Sequence, residues 1–252
     1  MFTIVEPMGG SVYTPGAAIL AGGSAVNPLA AVPWKAQWKF NNSGADAIGA
    51  NTLTNNNSAT FTTGKLGGAT GATQLVSAST QYWSIASNSN LQAGDNDFLV
   101  CGWAYADTAH TGVIISKGTI SVNGEYRVQV ISSGSDVKFR FQVSDIANTF
   151  KTVTSTNAYA TSAWHFFAAW HDATADKIYI NVNNGTTDEA TTAGIAVATQ
   201  TQPVCVGDQN SFSSPYNGRL DNVAFAKGTG AVPTAAILSA LYNGGAGTES
   251  FT

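Results

Sequence analysis

The chain has 252 residues, of which only 10% are charged, with 11 basic and 15 acidic side chains for a formal charge of −4. Average soluble domains carry about 25% charged residues, and long solvated helices need those charges on their outer faces, so an all-α fold is excluded. With no basic block, a phosphate-tracking nucleic-acid surface is not expected. No apolar run approaches the roughly 18 residues that a membrane-spanning helix needs, so no membrane insertion is expected.

Residues 1–33 hold four of the seven prolines (Pro7, Pro15, Pro28, Pro33), a single charge at Glu6, and no period of 2 or 3.6. They are too apolar for a solvated linker. Phe2, Ile4, Val5, Tyr13, Ile19, Leu20 and Leu29 are therefore expected to serve assembly, on an extended arm that meets a partner by strand addition or in a groove. The first basic residue is Lys35. A secretory leader begins with a basic segment, so export by the usual route is not expected if the chain is complete.

From Trp34 the pattern becomes strand, turn, strand. Strands are expected over 35–40, 74–76, 82–86, 97–106, 112–117 and 125–132, then over 137–143, 149–155, 163–171, 177–182, 203–206 and 218–226. Val137 to Val143 alternates apolar and polar residues, which puts one face on a core and the other in water. Asn123-Gly124, Ser133-Gly134 and Asn184-Gly185 mark hairpin turns. One helix is expected over 234–242, led by Pro233 and stopped by Asn243-Gly244-Gly245. Many short strands and one short helix describe a two-sheet sandwich over 34–252. Trp103, Trp164 and Trp170 are expected to fill the layer between its sheets. Cys101 and Cys205 lie in apolar runs and read as buried thiols.

Several segments carry a family resemblance. Gly64-Lys65-Leu66-Gly67 precedes an apolar strand, followed by Asp97-Phe98-Leu99-Val100-Cys101-Gly102-Trp103. Ser116-Lys117-Gly118 and Glu125-Tyr126-Arg127-Val128 come next, then Trp164-His165-Phe166-Phe167-Ala168-Ala169-Trp170-His171-Asp172 and Ile178-Tyr179-Ile180-Asn181-Val182-Asn183. Gly218-Arg219-Leu220-Asp221-Asn222-Val223 and Leu241-Tyr242-Asn243-Gly244-Gly245 close the series. In order and spacing this resembles the laminin-G-like, concanavalin A-like lectin-glucanase family over roughly residues 34–247. The resemblance implies an all-β fold: a two-sheet antiparallel jelly-roll sandwich with one short C-terminal helix and the extended N-terminal arm. Because such folds host binding, hydrolysis and particle assembly alike, function must come from sites.

Glycoside hydrolysis needs two carboxylates across the scissile bond. The glutamates Glu6, Glu125, Glu189 and Glu249 are far apart in sequence, and Asp95 and Asp97 open a strand as turn residues, so no enzymatic activity is expected. The family resemblance implies a structural calcium ion beside Asp221, with Asp46 as a helper. Hard cations want six to eight oxygens, and Asn222 stands where relatives often carry a second acid. No other cofactor is expected. Tyr105, Tyr159, Phe212 and Tyr216 fall in or near expected loops and are the candidate sugar-stacking aromatics.

The jelly roll, the apolar arm and the missing leader together suggest a non-enzymatic structural virion protein, a phage capsid decoration or surface-fibre component. Short stand-alone members of the resembled family are common among such proteins. Its expected partners are other virion proteins, further copies of itself and a host-surface glycan, and its expected place is the virion surface. The alternative is a carbohydrate-binding module or adhesin of a bacterial surface or secreted protein.

Overall fold

A computed structural model describes residues 27–210 and 213–252. Its strands are β1 (Trp34–Trp38), β2 (Thr54–Asn56), β3 (Thr60–Thr62), β4 (Ala72–Leu75), β5 (Tyr82–Ile85), β6 (Phe98–Ala106), β7 (Gly112–Lys117) and β8 (Tyr126–Ser133). They continue as β9 (Asp136–Ser144), β10 (Phe150–Thr154), β11 (Trp164–Asp172), β12 (Lys177–Val182), β13 (Thr187–Thr191), β14 (Val204–Val206) and β15 (Gly218–Lys227), before helix α1 (Ala235–Tyr242). An eight-stranded antiparallel sheet runs β13-β12-β11-β6-β15-β4-β3, with β1 also on β15, and a seven-stranded one runs β10-β9-β8-β7-β14-β5-β2. The expected all-β sandwich is what forms. No helix among the described residues is long and apolar enough to cross a membrane.

The alternating positions of β8 and β9 turn Tyr126, Val128, Phe139 and Phe141 into the space between the sheets. There Phe98 meets Tyr126 and Phe141 at ring separations of 5.5 and 5.9 Å, a geometry that adds to area burial. β15 bulges where its register against β6 shifts between Asp221 and Ala224. Asn222 takes φ 49° at this point, and an extra residue of this kind bends a strand and re-aims its side chains. N-terminal to the bulge β15 pairs β4, and C-terminal to it β15 pairs β1.

The tryptophans correct the expectation. Trp103, Trp164 and Trp170 share a strand face, but it is the outer face of the eight-stranded sheet. There they join a second apolar cluster with Leu99, Phe166, Leu238 and Leu241. Parity says which residues share a face and not which face it is. α1 lies over this cluster. Thr234 caps the helix by accepting a hydrogen bond from the Ile237 N–H at 3.3 Å, and Asn243 ends it in the left-handed conformation, as helix ends prefer.

Leu29 is also corrected. It is 2% exposed within the same cluster, and its carbonyl accepts a bond from the Trp34 indole at 3.0 Å. A turn of 3-10 helix over Pro28–Ala31 therefore belongs to the body, and the boundary expected at residue 34 moves to residue 27 or earlier. Phe2, Ile4, Val5, Tyr13, Ile19 and Leu20 lie outside the described residues, as does Phe212. β2, β3 and β13 were not anticipated, because their Thr, Asn, Asp and Glu content lacks alternating apolar positions. Both cysteines are free and buried, and burial pushes the Cys205 thiol up to about 12, which leaves it a poor nucleophile.

Candidate functional site

The outer faces of the two sheets carry different chemistry. On the seven-stranded sheet, the inward residues of β8 and β9 are apolar, so their neighbours point away from the core. Register then lines up a row of polar groups. Thr54 pairs Ser84, Ser84 pairs Cys205, and Cys205 pairs Ser116. The row continues from Ser116 to Arg127, Gln142 and Thr152. A second row runs through Gln129, Arg140 and Thr154. The first row includes the buried Cys205, and on β7 the second row begins at the apolar Val113, opposite Gln129; α1 packs against the other sheet.

The first row is tightly wired. The Arg127 Nε and Nη2 donate to Gln142 Oε1 at 3.1 and 2.5 Å, and its Nη1 donates to Gln209 Oε1 at 2.9 Å. Gln142 Nε2 donates onward to Thr152 Oγ1 at 2.9 Å. Burial, followed by repulsion from Arg140, pushes the Arg127 guanidinium down to about 10. Gly207, at φ +93°, turns the chain out of β14 in a conformation that favours glycine, and the following loop delivers Gln209. Asp208 borders the face but is buried, with Oδ1 accepting from the Gln209 and Ser214 N–H groups at 2.7 and 3.3 Å. Burial raises its carboxyl above the ordinary range. A planar guanidinium, amides and hydroxyls fixed on a pleated sheet can hydrogen-bond the hydroxyls of an extended sugar chain.

The expected aromatics do not converge there. Tyr105 lies on the eight-stranded sheet, edge-on to Trp164 at 5.5 Å and under the Arg219 guanidinium at 4.4 Å. Tyr159 sits at the end of the sandwich against His165 and Phe139. Tyr216 is withdrawn as a sugar-stacking residue, because it is 0% exposed and inside the core.

The two expected cation ligands also separate. Asp46 is saturated: Oδ1 accepts from the Gln37 and Ile48 N–H groups, and Oδ2 from the Asn51 N–H and Nδ2, all at 3.0 Å. Burial alone would raise its carboxyl, but these donors hold it below the usual range. It is a turn anchor with no oxygen to spare. Asp221 differs. Its Oδ2 accepts from the Leu66 N–H at 2.7 Å, while Oδ1 is buried without a partner among the described residues. Burial pushes the carboxyl up to about 8 against that N–H, and the nearby Glu249 charge adds to the rise. An orphaned buried carboxylate oxygen close to a second acid fits a hard cation. The second acid is Glu249, from the C-terminal segment, which sequence reasoning missed. No group of three His, Cys, Asp or Glu side chains gathers among the described residues, so any such cation would draw mostly on carbonyl and water oxygens.

The remaining acids are structural. Glu125 and Lys117, from the two short motifs of the resemblance, form a fully buried ion pair at 3.7 Å. Glu125 also accepts from the Ala93 and Gln200 N–H groups at 2.6 and 2.5 Å. Asp95 and Asp97 accept from the Val197 and Ala173 N–H groups. Glu189 pairs with Lys177 on β12 and β13.

Comparison with known proteins agrees with the fold. The family profile described as the concanavalin A-like lectin/glucanases superfamily matches residues 77–229. A search of curated protein sequences returns no match. Among solved structures, domain 4 of an extracellular arabinanase from Geobacillus stearothermophilus, in complex with arabinotriose, superposes with a TM-score of 0.60 at 16% identity. That match covers 86% of this chain and 99% of the other. The ligand-binding domain of botulinum neurotoxin serotype D, in complex with N-acetylneuraminic acid, gives 0.65 at 12% identity and covers 86% and 52%. The serotype G binding domain gives 0.62 at 12%, covering 83% and 50%. The chain thus spans about half of each toxin domain.

Proposed function

We propose that the chain, which belongs to the concanavalin A-like lectin/glucanases superfamily, is a non-catalytic glycan-binding protein that presents the outer face of its seven-stranded sheet to an oligosaccharide. The observation that carries the reading is the double row of polar groups, fixed by register and hydrogen bonding, on the face that α1 leaves uncovered. The sugar-bound arabinanase and toxin domains of the same fold lend support. In this reading Asp221, with Glu249 beside it, holds a structural calcium whose charge neutralises the buried carboxylate.

A glycan array followed by chemical-shift mapping tests it. Shifts are expected to cluster on Arg127, Gln129, Arg140, Gln142 and Thr152, without release of reducing sugar. Shifts confined to Tyr105 and Trp164 would move the site to the other sheet, and an array without hits would remove the reading. A second reading places this lectin-type domain outward on a virus particle. Residues 1–26 support it, because they contain one charged residue, Glu6, among many apolar ones, a composition suited to attachment. Deleting residues 1–26 should abolish attachment or self-association and leave the domain folded.

A further inference from the structure

The charges on the binding face do not follow the chain as a whole. The protein is acidic, yet Arg127, Lys138 and Arg140 all project from the outer side of the adjacent strands β8 and β9, since their neighbours Val128, Phe139 and Phe141 face the core. Arg127 pairs Gln142 and Arg140 pairs Gln129 in consecutive outward rows, so the two guanidiniums are diagonal neighbours, a spacing at which long side chains interact. The chain has only three arginines. None takes part in an ion pair among the described residues.

Arg127 is occupied by its two glutamines. Arg140 is not. Among the described residues only its Nε has a partner, Thr154 Oγ1 at 3.3 Å, and both terminal nitrogens of the fork have none there. Next to it Gln129 is 2% exposed, and its side-chain amide has no hydrogen-bond partner among the described residues. Holding two guanidiniums together without a counter-charge costs free energy. The acids closest in the fold do not answer them. Asp136 sits at the far end of β9, and Asp208 is buried with burial favouring its neutral form. A ligand that is planar, anionic and a double acceptor would satisfy the open fork and the amide together, and a carboxylate matches a guanidinium in this way.

We infer that the oligosaccharide taken by this face carries a carboxylate, as in a uronic or nonulosonic acid residue, seated on Arg140 beside Gln129 and Arg127. This rests on the glycan-binding reading above and adds the class of sugar. Isothermal titration of the full chain with trigalacturonate and 3′-sialyllactose, against arabinotriose and cellotriose, tests it; the two acidic probes separate the two sources of the carboxylate. At least one acidic probe is expected to bind about tenfold or more tighter than the neutral ones, and to weaken from about 50 to about 500 mM salt. Arg140→Gln should erase that preference with no change in melting temperature, and Arg140→Lys should restore part of it. Equal or tighter binding of neutral sugars would overturn the charge assignment while leaving the glycan-binding reading intact. So would an acidic preference that survives Arg140→Gln but is lost in Arg219→Gln. Absence of binding by all four probes and by the array would overturn both.

Discussion

The two sheets share one core but treat their outer faces in opposite ways. The eight-stranded sheet buries Leu99, Trp103, Phe166 and Trp170 under α1 and the turn at Pro28–Ala31, so β6 is buried on both sides. The seven-stranded sheet turns Arg127, Arg140, Gln142 and Thr152 outward. Strands of similar length therefore perform different tasks. The apolar outer face has become a second core, while the polar one is tied together by side-chain hydrogen bonds from Arg127 to Gln142 and Gln209. Stability should concentrate on the first and recognition on the second.

The strongest way to break this contrast is to remove the cover. Deleting residues 233–252 would expose the second core and should abolish cooperative thermal unfolding. A milder cut, Leu241→Ala, should cost about 2–5 kcal/mol, read as a lowered denaturant midpoint with its slope retained.

Asp221, also on the covered side, allows a sharper test. Its folded-state pKa of about 8 lies well above the value near 3.9 expected in the unfolded chain. Without calcium, its contribution to stability is full below about pH 4 and is lost as pH rises through about 8. With chelator present, Asp221→Asn should flatten that decline and raise the melting temperature at pH 8. Calcium needs the ionised form, so it should stabilise the native chain increasingly toward pH 8, by about 2.7 kcal/mol at a hundred times its dissociation constant. The Asn variant should not respond. Melting curves across pH, with and without calcium, read out all of these effects. Identical native curves in calcium and chelator would remove the cation.

The smallest expected effect lies on the open face. Arg140→Gln should change stability by less than about 0.5 kcal/mol, since that residue is held only through Thr154. A large loss would mean that the polar rows are structural and that the contrast between the faces fails.

The unequal faces also explain what could be read from the amino-acid order. Alternation in β9 and the caps of α1 are local signals, so strand and helix positions were legible. The side taken by Trp103 and Trp170 was not, because parity has no sign until a helix distant in sequence chooses a face. The polar rows were hidden for a related reason. They draw a residue from each of several strands, and only the pairing register brings Arg127, Gln142 and Thr152 together. Local motifs pointed to Asp221 but paired it with Asp46, whereas the acid nearby is Glu249. Asp46 has its own turn to anchor, while Glu249 arrives from a segment with no periodic signal.

β1 lies on β15, with Trp34 opposite Ala226. On a ribosome adding about 5–20 residues per second, β1 would wait roughly 10–40 s for the strand it pairs with. Until then its tryptophans have no place on the sheet. Closure of the sandwich is therefore a late event, governed by a contact between the two ends of the fold, and such long-range pairing slows folding. A chain stalled before β15 emerges would be vulnerable to aggregation or proteolysis, even though most of its strands have already been made.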